Sequence, residues 1–134
     1  MNNRFKHKVA VITGAAQGIG KRVAERMAME KGTLVLVDRA DIVHGVADAL
    51  SVKNEVISLT ADLEKFSECE RVMAATVERF GRIDILVNNV GGTIWTKPFE
   101  HYAENEIEAD VRRSPFPTLW FCRAALPYMP ETGK

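Results

Sequence analysis

The chain has 134 residues, 46% hydrophobic and 27% charged, with nine glycines and five prolines, the make-up of one soluble globular domain. Eighteen Lys and Arg balance eighteen Asp and Glu, and an isoelectric point near 6.8 leaves no general field to hold a polyanion, so nucleic-acid binding is disfavoured. The longest apolar runs, Leu34 to Val37 and Ile83 to Val87 with Asp84 inside it, fall far short of the roughly 20 residues of a membrane helix. The apolar segment after Lys8 is also shorter than the about 7 to 15 residues of a signal-peptide core, so a cytoplasmic, membrane-free protein is expected.

The first strand is expected at Lys8 to Ile12, a nearly continuous apolar run of the kind made by a parallel strand covered on both faces. Ile19, Val23 and Met27 then recur every four residues between charged ones and predict an amphipathic helix, which Gly32 can end by turning left-handed. Thr33 to Val37 reads as a second buried strand, Asp41 to Leu50 as a short helix and Glu55 to Thr60 as a third strand. Phe66, Cys69, Met73, Val77 and Phe80 line one face of a third helix that Gly81 ends, and Ile83 to Val87 is the fourth strand. Helix candidates follow at Ala103 to Val111 and at about Phe116 to Met129, where Pro115 and Pro117 are tolerable in a first turn. Cys69 and Cys122 lie far apart, outside any C-x-x-C pair, and read as buried thiols.

Strands alternating with helices imply parallel pairing, because each helix returns the chain to the same end of the sheet. The expected fold is therefore α/β with a doubly wound parallel sheet.

Between the first strand and helix lies Thr13-Gly14-Ala15-Ala16-Gln17-Gly18-Ile19-Gly20. A glycine loop in that context gathers unpaired N–H groups and the positive helix end at one point, which suits a pyrophosphate. Gly14 allows the tight turn, Gly18 removes a side chain where phosphates approach, and Gly20 lets the helix pack close to the strand. The spacing is one residue longer than the G-x-G-x-x-G fingerprint, and a glycine-rich connection that binds nothing is the alternative. Asp38 ends the second strand, where a carboxylate can accept hydrogen bonds from both ribose hydroxyls and repel a 2'-phosphate, favouring NAD over NADP. Arg39 pulls weakly the other way.

Thr13-Gly14-x-x-x-Gly18-x-Gly20, Asp62 after the third strand, and Asn88-Asn89-x-Gly91 after the fourth resemble the short-chain dehydrogenase/reductase family in order and spacing, from Lys8 to about Met129. The resemblance implies a Rossmann-like fold and a cofactor site that includes Gln17 and Ile19 with the three glycines and Asp38. It also implies that Asp62 and Leu63 contact adenine, and that Asn89, Val90 and Gly91 line the cofactor crevice. A helix cap is the alternative for Asp62. Within the family, the stretches Asn88 to Glu100 and Arg112 to Trp120 resemble dehydrogenases that oxidise a cis-diol acid with NAD, losing carbon dioxide to give a catechol. Ser114 stands where the family usually has asparagine, which bears against a proton relay through that position.

The family's base is a tyrosine with a lysine four residues later, yet Glu106 follows Tyr102 and Thr132 follows Tyr128. No catalytic residue is assigned within residues 1–134, which are expected to be the dinucleotide-binding half of one dehydrogenase domain, truncated after the fourth strand and its helices. That would leave the fourth strand an unpaired apolar edge; the resemblance further implies that the whole enzyme is a homotetramer acting on a small-molecule substrate. A non-catalytic nucleotide-binding or assembly module, or a dehydrogenase of the same family acting on another alcohol or carbonyl substrate, is the alternative. Trp95 is a candidate substrate contact. Lys97 and His101 are weaker candidates for a substrate carboxylate, while His7 and His44 lie away from the ligand-binding strand ends.

Overall fold

A computed structural model describes residues 2–131. Val9–Thr13 (β1), Thr33–Asp38 (β2), Val56–Thr60 (β3) and Ile85–Val87 (β4) form one parallel sheet in the order β3-β2-β1-β4. The register aligns Val11 with Val35 and Leu86, and Leu36 with Ser58. Every residue of β1 is buried, as its unbroken apolar run requires.

Alternation along the strands sorts their side chains into two cores. Ala10, Ile12, Leu34 and Leu36 face α1 (Gly18–Met29) and α2 (Ile42–Ser51) through Ala24, Met27, Val43 and Ala47. Val11, Val35 and Val37 face α3 (Phe66–Phe80) and α5 (Pro115–Ala125) through Cys69, Val72, Met73 and Phe121. The sheet is thus covered on both sides, and each large apolar side chain withdrawn from water contributes about 1.5 to 3 kcal/mol. β4 pairs only with β1 among the described residues.

Several boundaries depart from expectation. Lys31, not Gly32, takes the left-handed conformation after α1 (φ 69°). Gly32 sits close to its surroundings, since a Cβ there would stand 3.1 Å from the Met27 carbonyl oxygen, a tight contact. Ile19 does not join the core face of α1 and is 74% exposed. Gly81 ends α3 as expected, at φ 77° with its N–H bonded to the Val77 carbonyl. α4 spans Glu104–Arg113 and α5 starts directly after Ser114, with Pro115 and Pro117 in its first turn. Pro127 lacks the N–H needed to continue the ladder, so α5 stops at Ala125 and the chain goes on as a 3-10 turn, Leu126–Tyr128. Cys69 is buried, its thiol pushed up to about 12 chiefly by burial, but Cys122 is exposed, which corrects the reading of both as core thiols. No described helix is long and apolar enough to cross a membrane.

Candidate functional site

The chain leaves β1 toward β2 and β3, then returns to the opposite side of β1 as β4, so a crevice opens between the carboxyl ends of β1 and β4. Its floor is tied across the sheet. The Thr13 hydroxyl donates to the Val87 carbonyl (3.3 Å) and accepts from the Asn89 N–H (2.9 Å), while the Asn89 side-chain amide donates to the Gly14 carbonyl (3.3 Å). Ala15 N–H reaches the Val37 carbonyl at 3.2 Å, fastening the loop to β2 as well.

The three glycines answer to different needs. Gly14 takes φ 63°, and a Cβ on it would overlap the Asn89 carbonyl. Gly20 is buried, and its Cβ would overlap the Gly14 carbonyl and approach the Asn89 amide, so the close contact is with the glycine loop itself rather than with the strand. Gly18 (φ 57°) has no atom within 4 Å of where a Cβ would lie, leaving open space before the start of α1. Gln17, the residue before that helix, is exposed and makes no side-chain capping bond. The first amides of α1 are therefore left for a ligand at the positive helix end, the condition for holding a pyrophosphate. The cradle has the room a dinucleotide's phosphates would need at Gly18, and the exposed Ile19 stands at its rim.

Asp38 ends β2 beside it. One carboxylate oxygen accepts from the Ala16 N–H (3.1 Å) and the other from the Ala40 N–H (3.0 Å), which fixes the side chain at the mouth of the crevice. Each oxygen keeps a further lone pair for a ribose hydroxyl. Asp62 is not the cap of α3, whose preceding residue is Lys65. Its carboxylate instead accepts from the Glu64 N–H (3.1 Å), forming a turn that exposes it while Leu63 is buried. Asp38, Arg39, Asp62, Leu63, Val90 and Gly91 meet at a cleft of about 100 Å³, room for one end of a larger ligand.

The opposite wall is held by fewer ties. Ser114 Oγ accepts from the Gly92 N–H (3.2 Å), and a Cβ on Gly91 would stand 2.5 Å from that oxygen. The Asp110 carboxylate accepts from the Ile94 N–H (2.9 Å), and the Tyr102 hydroxyl donates to the Trp95 carbonyl (2.8 Å). Trp95 is half-buried, edge-on to the Tyr102 ring at 6.1 Å. Lys97 is spoken for by Glu106 (2.6 Å) and stands over the Tyr102 ring, so it is not free for a substrate carboxylate. Burial and the Asp110 carboxylate push the Tyr102 hydroxyl up, the reverse of what a base needs, and its bond to Trp95 makes it a brace of this loop. His101 is exposed in a 3-10 turn, His44 bonds Ser58 on the outer face of α2, and His7 precedes β1. No cluster of three metal-ligating side chains occurs among the described residues.

Three members of the crevice escaped sequence reasoning. Thr13 was visible in the motif, but its bridging of β1 to β4 depends on which strands become neighbours. Ala16 offers only a backbone amide. Arg113 enters the cleft from a helix some fifty residues beyond Leu63, and no local pattern marks it.

The model of the short chain dehydrogenase family matches residues 8–134. The chain is 71% identical over 133 residues to 1,6-dihydroxycyclohexa-2,4-diene-1-carboxylate dehydrogenase of Pseudomonas putida, covering 99% of this chain and 49% of that protein. It is 50% identical to the dehydrogenase of the same name from Acinetobacter baylyi, over 94% of this chain and 49% of that one. Among solved structures, NADH-dependent reductase A1-R' complexed with NAD superposes with a TM-score of 0.83 at 28% identity, over 96% of this chain and 54% of the reductase. The chain thus spans about half the length of the curated relatives it matches. It belongs to the short-chain dehydrogenase family.

Proposed function

We propose that this short-chain dehydrogenase chain is the dinucleotide-binding half of an NAD-dependent enzyme that oxidises a cis-dihydroxycyclohexadiene carboxylate to a catechol. The observation that carries the cofactor is the open cradle at Gly18, where a positive φ and empty space meet the uncapped start of α1. The likeness to the two diol carboxylate dehydrogenases supports the substrate. When bound, NAD supplies the hydride acceptor. The residues of this chain bind and orient it: Gly14, Gly18 and Gly20 shape the pyrophosphate cradle, and Asp38 takes the ribose hydroxyls and repels a 2'-phosphate. Asp62 and Leu63 bound the adenine, and Asn89 with Gly91 forms the crevice floor. Trp95 stands on the loop wall toward which a cyclic diol acid would lie.

The proposal includes a homotetramer in the cytoplasm. For the assembly it draws on Leu119 and Leu126, 57% and 65% exposed along the last helix and turn, which later elements of the whole enzyme and another subunit's helix would cover.

Absorbance of the reduced cofactor, followed in the whole protein that carries this chain with the diol acid and either NAD or NADP, tests the reading. Catechol formation with a clear preference for NAD is expected. Equal or better use of NADP would defeat the role of Asp38, and NAD binding without diol oxidation would favour a non-catalytic nucleotide module.

A further inference from the structure

Arg113 has no part in that reading, although it lines the same cleft. It is the last residue of α4, half-buried, and its side chain bonds none of the described residues. Arg4, Arg22, Arg71 and Arg82 each pair with a carboxylate. Arg113 lacks such a pair even though Asp38, Asp62 and Glu64 line its cleft. The two Asp38 oxygens hold the amides of Ala16 and Ala40, and Asp62 holds the Glu64 amide and lies 3.7 Å from Lys65. An arginine, half-buried as a residue and without a partner, thus lines a ligand-sized space.

Its position is fixed rather than incidental. Ser114, the next residue, accepts from the Gly92 amide and fills the place of a Cβ on Gly91, so the end of α4 is pressed against the Val90–Gly91 wall. A basic residue in a last helical turn is ordinarily explained by the helix dipole, but the exposed Arg112 beside it already satisfies that preference. The other walls are the apolar Ala61, Leu63 and Val90 and, at the rim, the exposed Arg39, also without a carboxylate partner among the described residues but not packed against the Val90–Gly91 wall as the end of α4 is. A phosphate suits the space less, because the three carboxylates outnumber Arg39 and Arg113 and the positive end of α1 lies at Gly18. A flat, electron-rich ring suits it: guanidinium planes stack on such rings, and the carboxylates accept from their amino groups.

We propose that Arg113 stacks on the purine base of the adenine nucleotide and so anchors the adenosine end of the cofactor. This rests on the dinucleotide reading above. Calorimetry on the protein carrying this chain tests it, with AMP as the probe and nicotinamide mononucleotide, which has ribose and phosphate but no purine, as the reference. R113A is expected to weaken AMP about five- to thirty-fold and to leave nicotinamide mononucleotide unchanged. The KM for NAD should rise while kcat stays constant. R113K keeps the charge without the plane and should stay weakened; it also decides the matter if R113A fails to fold. Full AMP affinity in R113K, equal losses with both mononucleotides, or no loss of AMP in R113A would overturn the proposal. If the unmodified protein binds neither AMP nor NAD, the dinucleotide reading itself falls; if it binds both and R113A does too, only the stacking does.

Discussion

The two walls of the crevice are built by different means. On the β1–α1–β2 side, all of β1 and the middle of β2 are buried, and the glycine loop is clasped from both neighbouring strands. On the β4–α4 side, the strand has three half-buried residues and α4 buries none. That wall keeps its shape through single side-chain ties from Ser114, Asp110 and Tyr102. On the proposed function, close packing suits the wall that would meet the unvarying phosphates, and a tied loop suits the wall that would meet the substrate, since its side chains can change without disturbing the sheet.

The sharpest break should come from Gly20→Ala in the packed wall. With the Gly14 carbonyl and the Asn89 amide in the way, urea unfolding should show a loss of about 3 kcal/mol or more. Gly18→Val separates binding from packing: calorimetry should find NAD binding abolished, against a stability loss of only about 1 to 3 kcal/mol for a side chain at positive φ. Unchanged NAD affinity would make the loop a mere connection. Asp38→Ala should weaken NAD by about 1 to 3 kcal/mol and narrow its advantage over NADP, read from the dissociation constants of both.

Asp84 joins the two regions at the other end of the same strands. Burial pushes its carboxyl up, but hydrogen bonds from the Arg82 guanidinium and the Val9 N–H outweigh that, and the net shift is downward. A depressed carboxyl stabilises the fold above its unfolded value near 4 and loses that contribution as pH falls through its folded value. Asp84→Asn should therefore cost about 1 to 3 kcal/mol at neutral pH, and the gap from the unmodified protein should close in acid. A gap that stays constant down to the lowest pH at which both fold would refute the ion pair. The smallest effect belongs to the tied wall: Tyr102→Phe removes one hydrogen bond, and a thermal scan should show about 0.5 to 1.5 kcal/mol.

The packed wall was also the readable one. Continuous apolar runs announced β1 and β2, steps of three and four announced α3, and glycines between a strand and a helix announced the cradle. The tied wall gave little away, because its structure depends on partners distant in sequence. Ser114 was noticed as a departure from a family pattern, but its grip on Gly91 and Gly92 follows only from how α4 ends. Lys97 resembled a free cation until Glu106 came within reach from α4. Ile19 kept the helical spacing of a core residue yet stays exposed, because it sits in the first turn beside the open cradle. Cys122 likewise fell in a helix, on its outward side.

The clasp of Asn89 on Gly14 spans 75 positions of the chain, and this orders events in time. During synthesis at about 5 to 20 residues per second, the glycine loop leaves the ribosome about 4 to 15 seconds before the residue that completes its floor. Through that interval β1 and β2 can pair, but the phosphate cradle has no far side, and closing so long a loop is the costly step in its formation. A nucleotide that recognises the finished crevice can act on this protein only once Asn89 has docked on the glycine loop, and it then holds that docked state.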